Sequence, residues 1–77
     1  MDVIGFKLID DRYGAVWCVC DRADFHTYGH ELYKRQDVLC GVSDDLDEAM
    51  TDYQINRCMA SGEHFEFKPT QIEILSI

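Results

Sequence analysis

The stretch Ser43–Gly62, SDDLDEAMTDYQINRCMASG, decides the fold. Read as a helix that advances about 100° per residue, it sorts into two sides. Leu46, Ala49, Met50, Tyr53 and Ala60 fall on one, while Asp44, Asp45, Asp47, Glu48 and Asp52 all fall on the other half. Such an amphipathic helix has to bury its apolar stripe against another layer. Ser43 suits the N-cap because its hydroxyl can accept an orphan backbone N–H, and the acids behind it suit the positive helix end. Ser61-Gly62 supplies a left-handed C-cap. The predicted helix therefore runs from 43 to about 60, and the residues on either side of it must provide a sheet.

The strongest strand is AVWCVCD, residues 15–21, which is β-branched and aromatic. Its nearly continuous apolarity is that of a central strand buried on both faces, with Trp17 as its expected core anchor. Residues 2–9, DVIGFKLI, alternate, with Val3, Gly5, Lys7 and Ile9 opposite to Ile4, Phe6 and Leu8. The turn cluster DDRYG lies between the two runs, so they should pair as an antiparallel hairpin. Residues 22–37, RADFHTYGHELYKRQD, show no sustained period and read as a loop leading into a third strand around 30–41. The closing EHFEFKPTQIEILSI alternates at Phe65 and Phe67 and again at Ile72 and Ile74. It is expected to form one long bent strand, or else a second hairpin, with Pro69 at an edge position, a bulge or a turn because proline cannot donate to a ladder. The predicted class is α+β: a small antiparallel β-sheet of three to four strands with one helix packed on a face, in the order ββ(β)αβ, as a single compact domain over 1–77.

Composition limits what this domain can do. Hydrophobic residues make up 47% of the chain, enough for a core, yet fifteen acids against seven bases leave a net charge of −8. That charge repels phosphate and anionic membrane surfaces and favours a basic protein partner. Only Lys34 and Arg35 are adjacent among the bases, so direct nucleic-acid binding is disfavoured. No run approaches the roughly 18 apolar residues of a membrane helix, and the acid at position 2 does not fit a signal peptide. The expected location is cytoplasmic, with all four cysteines reduced and at least three of them buried.

Catalytic signatures are missing. There is no phosphate-cradling glycine loop, no nucleophile elbow and no paired carboxylates in an apolar setting, so no catalytic residue, no enzymatic activity and no cofactor are expected. Cys18 and Cys20, near which Cys40 and Cys58 could lie, could form a Cys2His2 set with His26 and His30, and a small metal-binding domain is the alternative reading. It is weakened because alternate residues of a strand hold their thiols about 7 Å apart, unlike the tight knuckles that zinc uses.

The acidic helix face carries a second feature. Ile55 falls in the middle of the acids, with Met59 one turn on and Cys58 beside it. An apolar patch rimmed by one sign of charge is a recurring interface design. Five carboxylates over nine helical residues amount to roughly one charge per 2.7 Å, of the same order as duplex DNA at about one per 1.7 Å. Asp44, Asp45, Asp47, Glu48, Asp52, Ile55 and Met59 are therefore the expected partner-binding residues.

The run SDDLDEAM, followed by a short helix and the closing FEFKPTQIEIL, resembles small accessory proteins encoded by bacteriophages, some of which inhibit host defence as anti-CRISPR proteins do. The resemblance covers roughly the last 35 residues, rests on pattern and character, and carries no functional residue over. It implies an inhibitor acting in a host cytoplasm on a nucleic-acid-handling complex. A self-associating structural protein that pairs through an open sheet edge is a further reading.

Overall fold

The computed structural model describes residues 2–12 and 14–76. Strands β1 (Val3–Asp10) and β2 (Gly14–Asp21) form the expected antiparallel hairpin, with Ile4 opposite Cys20 and Asp10 opposite Gly14. Gly14 takes the positive φ, 78°, with which the chain enters β2 after the turn. Helix α1 (Arg22–Tyr28) follows β2 without a loop, and a 3-10 segment (Gly29–Lys34) follows α1. Strand β3 (Cys40–Ser43) pairs antiparallel with β2. Helix α2 (Leu46–Ser61), a 3-10 turn (Pro69–Gln71) and β4 (Ile72–Ser76) complete the chain.

The strand order is β3-β2-β1-β4, and β4 runs parallel to β1. The class is α+β with a helix on a small four-stranded sheet, as expected, but the sheet is mixed. The parallel pair arises because α2 carries the chain from one edge of the sheet to the other, which a hairpin cannot do.

The sheet is covered on both sides. On one side Val3 and Val19 pack against Ala49, Met50 and Tyr53 of α2 and against Phe67. On the other, Ile4, Phe6, Cys18 and Cys20 pack against Leu32 and Val38, with Phe25 of α1 half-buried beside them. The ring centroids of Phe6 and Phe25 are 5.2 Å apart. Two-sided burial explains why β2 reads as nearly continuous apolarity.

Several expectations are corrected here. The third strand is not 30–41: that interval holds a 3-10 segment and a loop, and the strand itself is confined to Cys40–Ser43. The one-helix arrangement gives way to two, because α1 has seven residues ending at Gly29 (φ 73°), too few for a helical period to show. The long bent strand is also absent. Residues 63–68 are irregular, and Pro69 opens a 3-10 turn, where its fixed φ fits and its missing N–H costs nothing. Trp17 is half-buried rather than a sealed anchor, with the Lys7 ammonium 5.9 Å from its ring centroid.

Candidate functional site

Helix α2 starts later than expected because Ser43 belongs to β3 and the cap is Asp45, whose carboxylate accepts the Glu48 N–H at 3.2 Å. Gly62 closes the helix in the left-handed conformation, φ 75°, as expected, and its N–H reaches the Cys58 carbonyl at 2.9 Å. Between these caps the helix has four sides, and three of them bind the rest of the domain.

The core side is Leu46, Ala49, Met50 and Tyr53; Ala60, expected with them, is exposed. The Tyr53 hydroxyl donates to Asp21 and accepts from Arg57 Nη1 at 2.8 Å. Burial, and then the bond to the Asp21 carboxylate, push the Tyr53 phenol well above its ordinary value. On one flank, Asp52 accepts the Val42 N–H at 3.0 Å and Asn56 donates to the Cys40 carbonyl at 2.8 Å. One turn apart on α2, these two side chains take up a donor and an acceptor of the β3 edge. On the other flank, Gln54 accepts the Phe67 N–H at 3.3 Å and Cys58 Sγ accepts the Phe65 N–H at 3.0 Å. These bonds draw Phe65 and Phe67 into a cluster with Tyr53, with ring centroids about 6 Å apart.

The fourth side faces solvent. A shallow depression there is lined by Asp47, Glu48, Thr51, Asp52 and Ile55, and Met59 lies one turn further on. Ile55 is 52% exposed and Met59 78%. Arg57 is the only cation in α2, and it is turned away from this side: it pairs with Asp21 at 3.5 Å and lies 4.0 Å from the Phe65 ring centroid. No basic side chain of the helix offsets its outer acids.

The structure divides the expected site residues by role. Asp47, Glu48, Ile55 and Met59 are together on the outer side. Asp45 is engaged as the cap, and Glu48 and Asp44 accept from the Ser43 hydroxyl at 2.9 and 3.3 Å. Asp52 is half-buried and serves the β3 edge. Cys58 does not join the apolar patch, because its sulfur is held against Phe65. Asn56 was missed as a partner of Asp52; their spacing of four on a helix beside a short strand was the available signal.

The four metal-ligand types are not assembled. Cys18 and Cys20 are fully buried while His26 and His30 are exposed, and among the described residues no group of three or more His, Cys, Asp or Glu stands in position to hold a metal ion. Cys40 and Cys58 are half-buried, so two cysteines rather than three are sealed in the core. Hydrogen bonding to Cys20 and Cys40, together with burial, raises the Cys18 thiol far above its ordinary value.

A concavity of about 620 Å³ lies elsewhere, near the β1–β2 turn. Its walls carry both signs of charge, and its Asp10 accepts the Tyr33 hydroxyl and the Arg12 N–H and lies 3.8 Å from Lys34. Among the described residues no helix is long and apolar enough to cross a membrane. Comparison with protein-family models, with curated proteins and with solved structures finds no match to this chain.

Proposed function

We propose that this protein is a small, non-enzymatic interaction module whose outer α2 face docks on a basic surface of a larger nucleic-acid-handling protein and obstructs it. The observation that carries this reading is the side chain of Ile55. It projects from the middle of a helix whose other three sides bind the domain, and it is ringed by Asp47, Glu48 and Asp52. Scattered exposed apolar residues have no special meaning. A pair on the one unengaged side of a helix, rimmed by acids with no helix cation among them, has the anatomy of an interface with an apolar centre and a charged rim. The acids would steer a basic partner and set the approach, and Ile55 and Met59 would supply the contact that slows release. Phosphate-binding grooves are the natural basic surfaces for such a field, so the occlusion would take the place of nucleic acid.

The test is capture of partners from a cell lysate by the wild-type protein and by Asp47→Lys with Glu48→Lys. Asp45 is left alone because it caps the helix. The expected result is one or more basic proteins held by the wild type and lost from the double variant, with added duplex DNA competing for them. Equal recovery by the two proteins would overturn the proposal.

A further inference from the structure

We infer that β4 is a pairing edge, at which a second copy of this chain adds its own β4 antiparallel about a two-fold axis at Ile74. The two outer strands of the sheet are β3 and β4. The β3 edge is closed by Asp52 and Asn56 of α2. At β4 the Ile72 N–H is taken up by the Pro69 carbonyl of the preceding 3-10 turn, and among the described residues no hydrogen bond from outside the sheet reaches the main chain of 73–76. The usual edge protections are missing from it as well. Ile72–Ser76, IEILS, has no proline and no lysine, and its one charge, Glu73, is paired with Arg22. Instead Ile74 is 49% exposed and joins Ile9, which is 77% exposed, along a shallow groove that ends on Trp17.

The strand's self-complementary register favours a copy of this chain as the occupant, and the local charge permits it. A protein of net charge −8 repels itself over most of its surface, but residues 68–76 carry only Lys68 and Glu73 and are locally neutral. Glu73 is further neutralised by its ion pair with Arg22. An antiparallel register about Ile74 places Ile72 against Ser76 of the second copy and Glu73 against Leu75 of the second copy. The two Glu73 side chains then lie on a diagonal rather than face to face, and the two Ile74 side chains meet directly. The result is a continuous eight-stranded sheet with an isologous interface. Five residues of edge cover far less than the roughly 800 Å² per partner of a standard stable interface, so the dimer is a weak one that forms with rising concentration. Because it brings like net charges together, salt should strengthen it.

Sedimentation velocity on the whole chain, from about 10 μM to about 1 mM, tests this alongside Ile74→Lys, which sets two ammonium groups face to face. The expected result is a concentration-dependent dimer of the wild type, tighter at about 500 mM than at about 50 mM salt, and a monomeric Ile74→Lys that melts within about 3 °C of wild type. Hydrogen exchange on the wild type supplies a readout that needs no variant: amides within 72–76 should gain protection as concentration rises, and those of 40–43 should not. A wild type that stays monomeric throughout would overturn the proposal. So would a dimer that persists in a folded Ile74→Lys, or protection that appears at 40–43 instead.

Discussion

The two edges of the sheet are treated differently, and the helix is responsible. At β3 the backbone of α2 comes so close that a Cβ on Gly41 would lie 2.9 Å from the Tyr53 Cα and nearer still to the Ala49 carbonyl oxygen. Side chains of the same helix then take up the Val42 N–H and the Cys40 carbonyl. At β4 the corresponding glycine is Gly5 of the neighbouring β1, where the three atoms nearest to a Cβ would be methyl groups, the first of them Ile72 Cδ1 at 3.1 Å. Beside Gly41 the contact is with helix backbone, and beside Gly5 it is with side chains that can shift. A single helix can close one edge of a small sheet. Its remaining side, with Asp47, Glu48, Ile55 and Met59, and the far edge are the surfaces that the helix leaves uncovered.

The largest effect expected is at the seam. Gly41→Ala has no flexible neighbour to displace, so α2 would have to lift off β3, at a cost of about 3 kcal/mol or more. Out of a total of about 5–15 kcal/mol for a domain, this should lower the melting temperature by at least about 12 °C. Gly5→Ala should cost no more than about 1 kcal/mol, since only terminal methyls have to move. Thermal unfolding of the pair measures the contrast directly. Similar losses for the two variants would show that the edges are equally tight.

Asp52→Ala and Asn56→Ala come next, each removing one hydrogen bond from a half-buried setting at about 1 kcal/mol. Their more informative outcome is a change at the edge. With Val42 N–H or Cys40 carbonyl unpaired, β3 should behave as β4 does, and the 40–43 amides should lose protection in hydrogen exchange. Unchanged exchange there would mean that the two side chains are incidental to the closure.

Arg22 gives the smallest effect. It bonds Asp2 Oδ1 at 2.8 Å and also pairs with Glu73, so it ties the residue before β1 to β4. Its hydrogen bond holds the Asp2 carboxyl below its ordinary value. A carboxylate lowered in the folded state contributes stability above its unfolded pKa of about 3.9 and loses it as pH falls through the folded value. Wild type should therefore be slightly more stable than Arg22→Gln near neutral pH, and the two melting curves should converge as pH falls below about 4. A gap that stays constant down to low pH would remove the ion pairs from the account.

How far the sequence revealed these edges depends on how local each signal is. The hairpin was legible because an alternating β1 and a nearly continuous apolar β2 flank a turn cluster, and α2 because Leu46, Ala49, Met50 and Tyr53 recur with helical period between cap signals. Helix α1 was not, because seven residues carry Phe25 as their one large inward group and Gly29 ends the run before a period can establish itself. The parallel pairing of β4 was hidden for a different reason: IEILS has the same composition whichever direction its neighbour runs. The placement of Ile55, Met59, Asp47 and Glu48 on the outer side of α2 was legible from spacing alone. The other duties of Asp45 and Asp52 were not, since a cap shifted by two residues and a bond to Val42 depend on where β3 ends.

The outer side of α2 is the centre of the account, and its most direct test is the affinity of a captured basic partner for the wild type and for Asp47→Lys with Glu48→Lys, measured at two salt concentrations. The acids are exposed, so the double variant should keep its fold, losing about 1 kcal/mol per residue at most near the helix N-terminus. The wild type should bind at least about tenfold more weakly at 500 mM than at 50 mM salt, opposite in sign to the self-association of β4. The double variant should bind at least about thirtyfold more weakly than the wild type at low salt, most of the loss lying in slower association. A folded double variant that binds with wild-type affinity and wild-type salt dependence would contradict the account and leave the outer side of α2 a solvated surface.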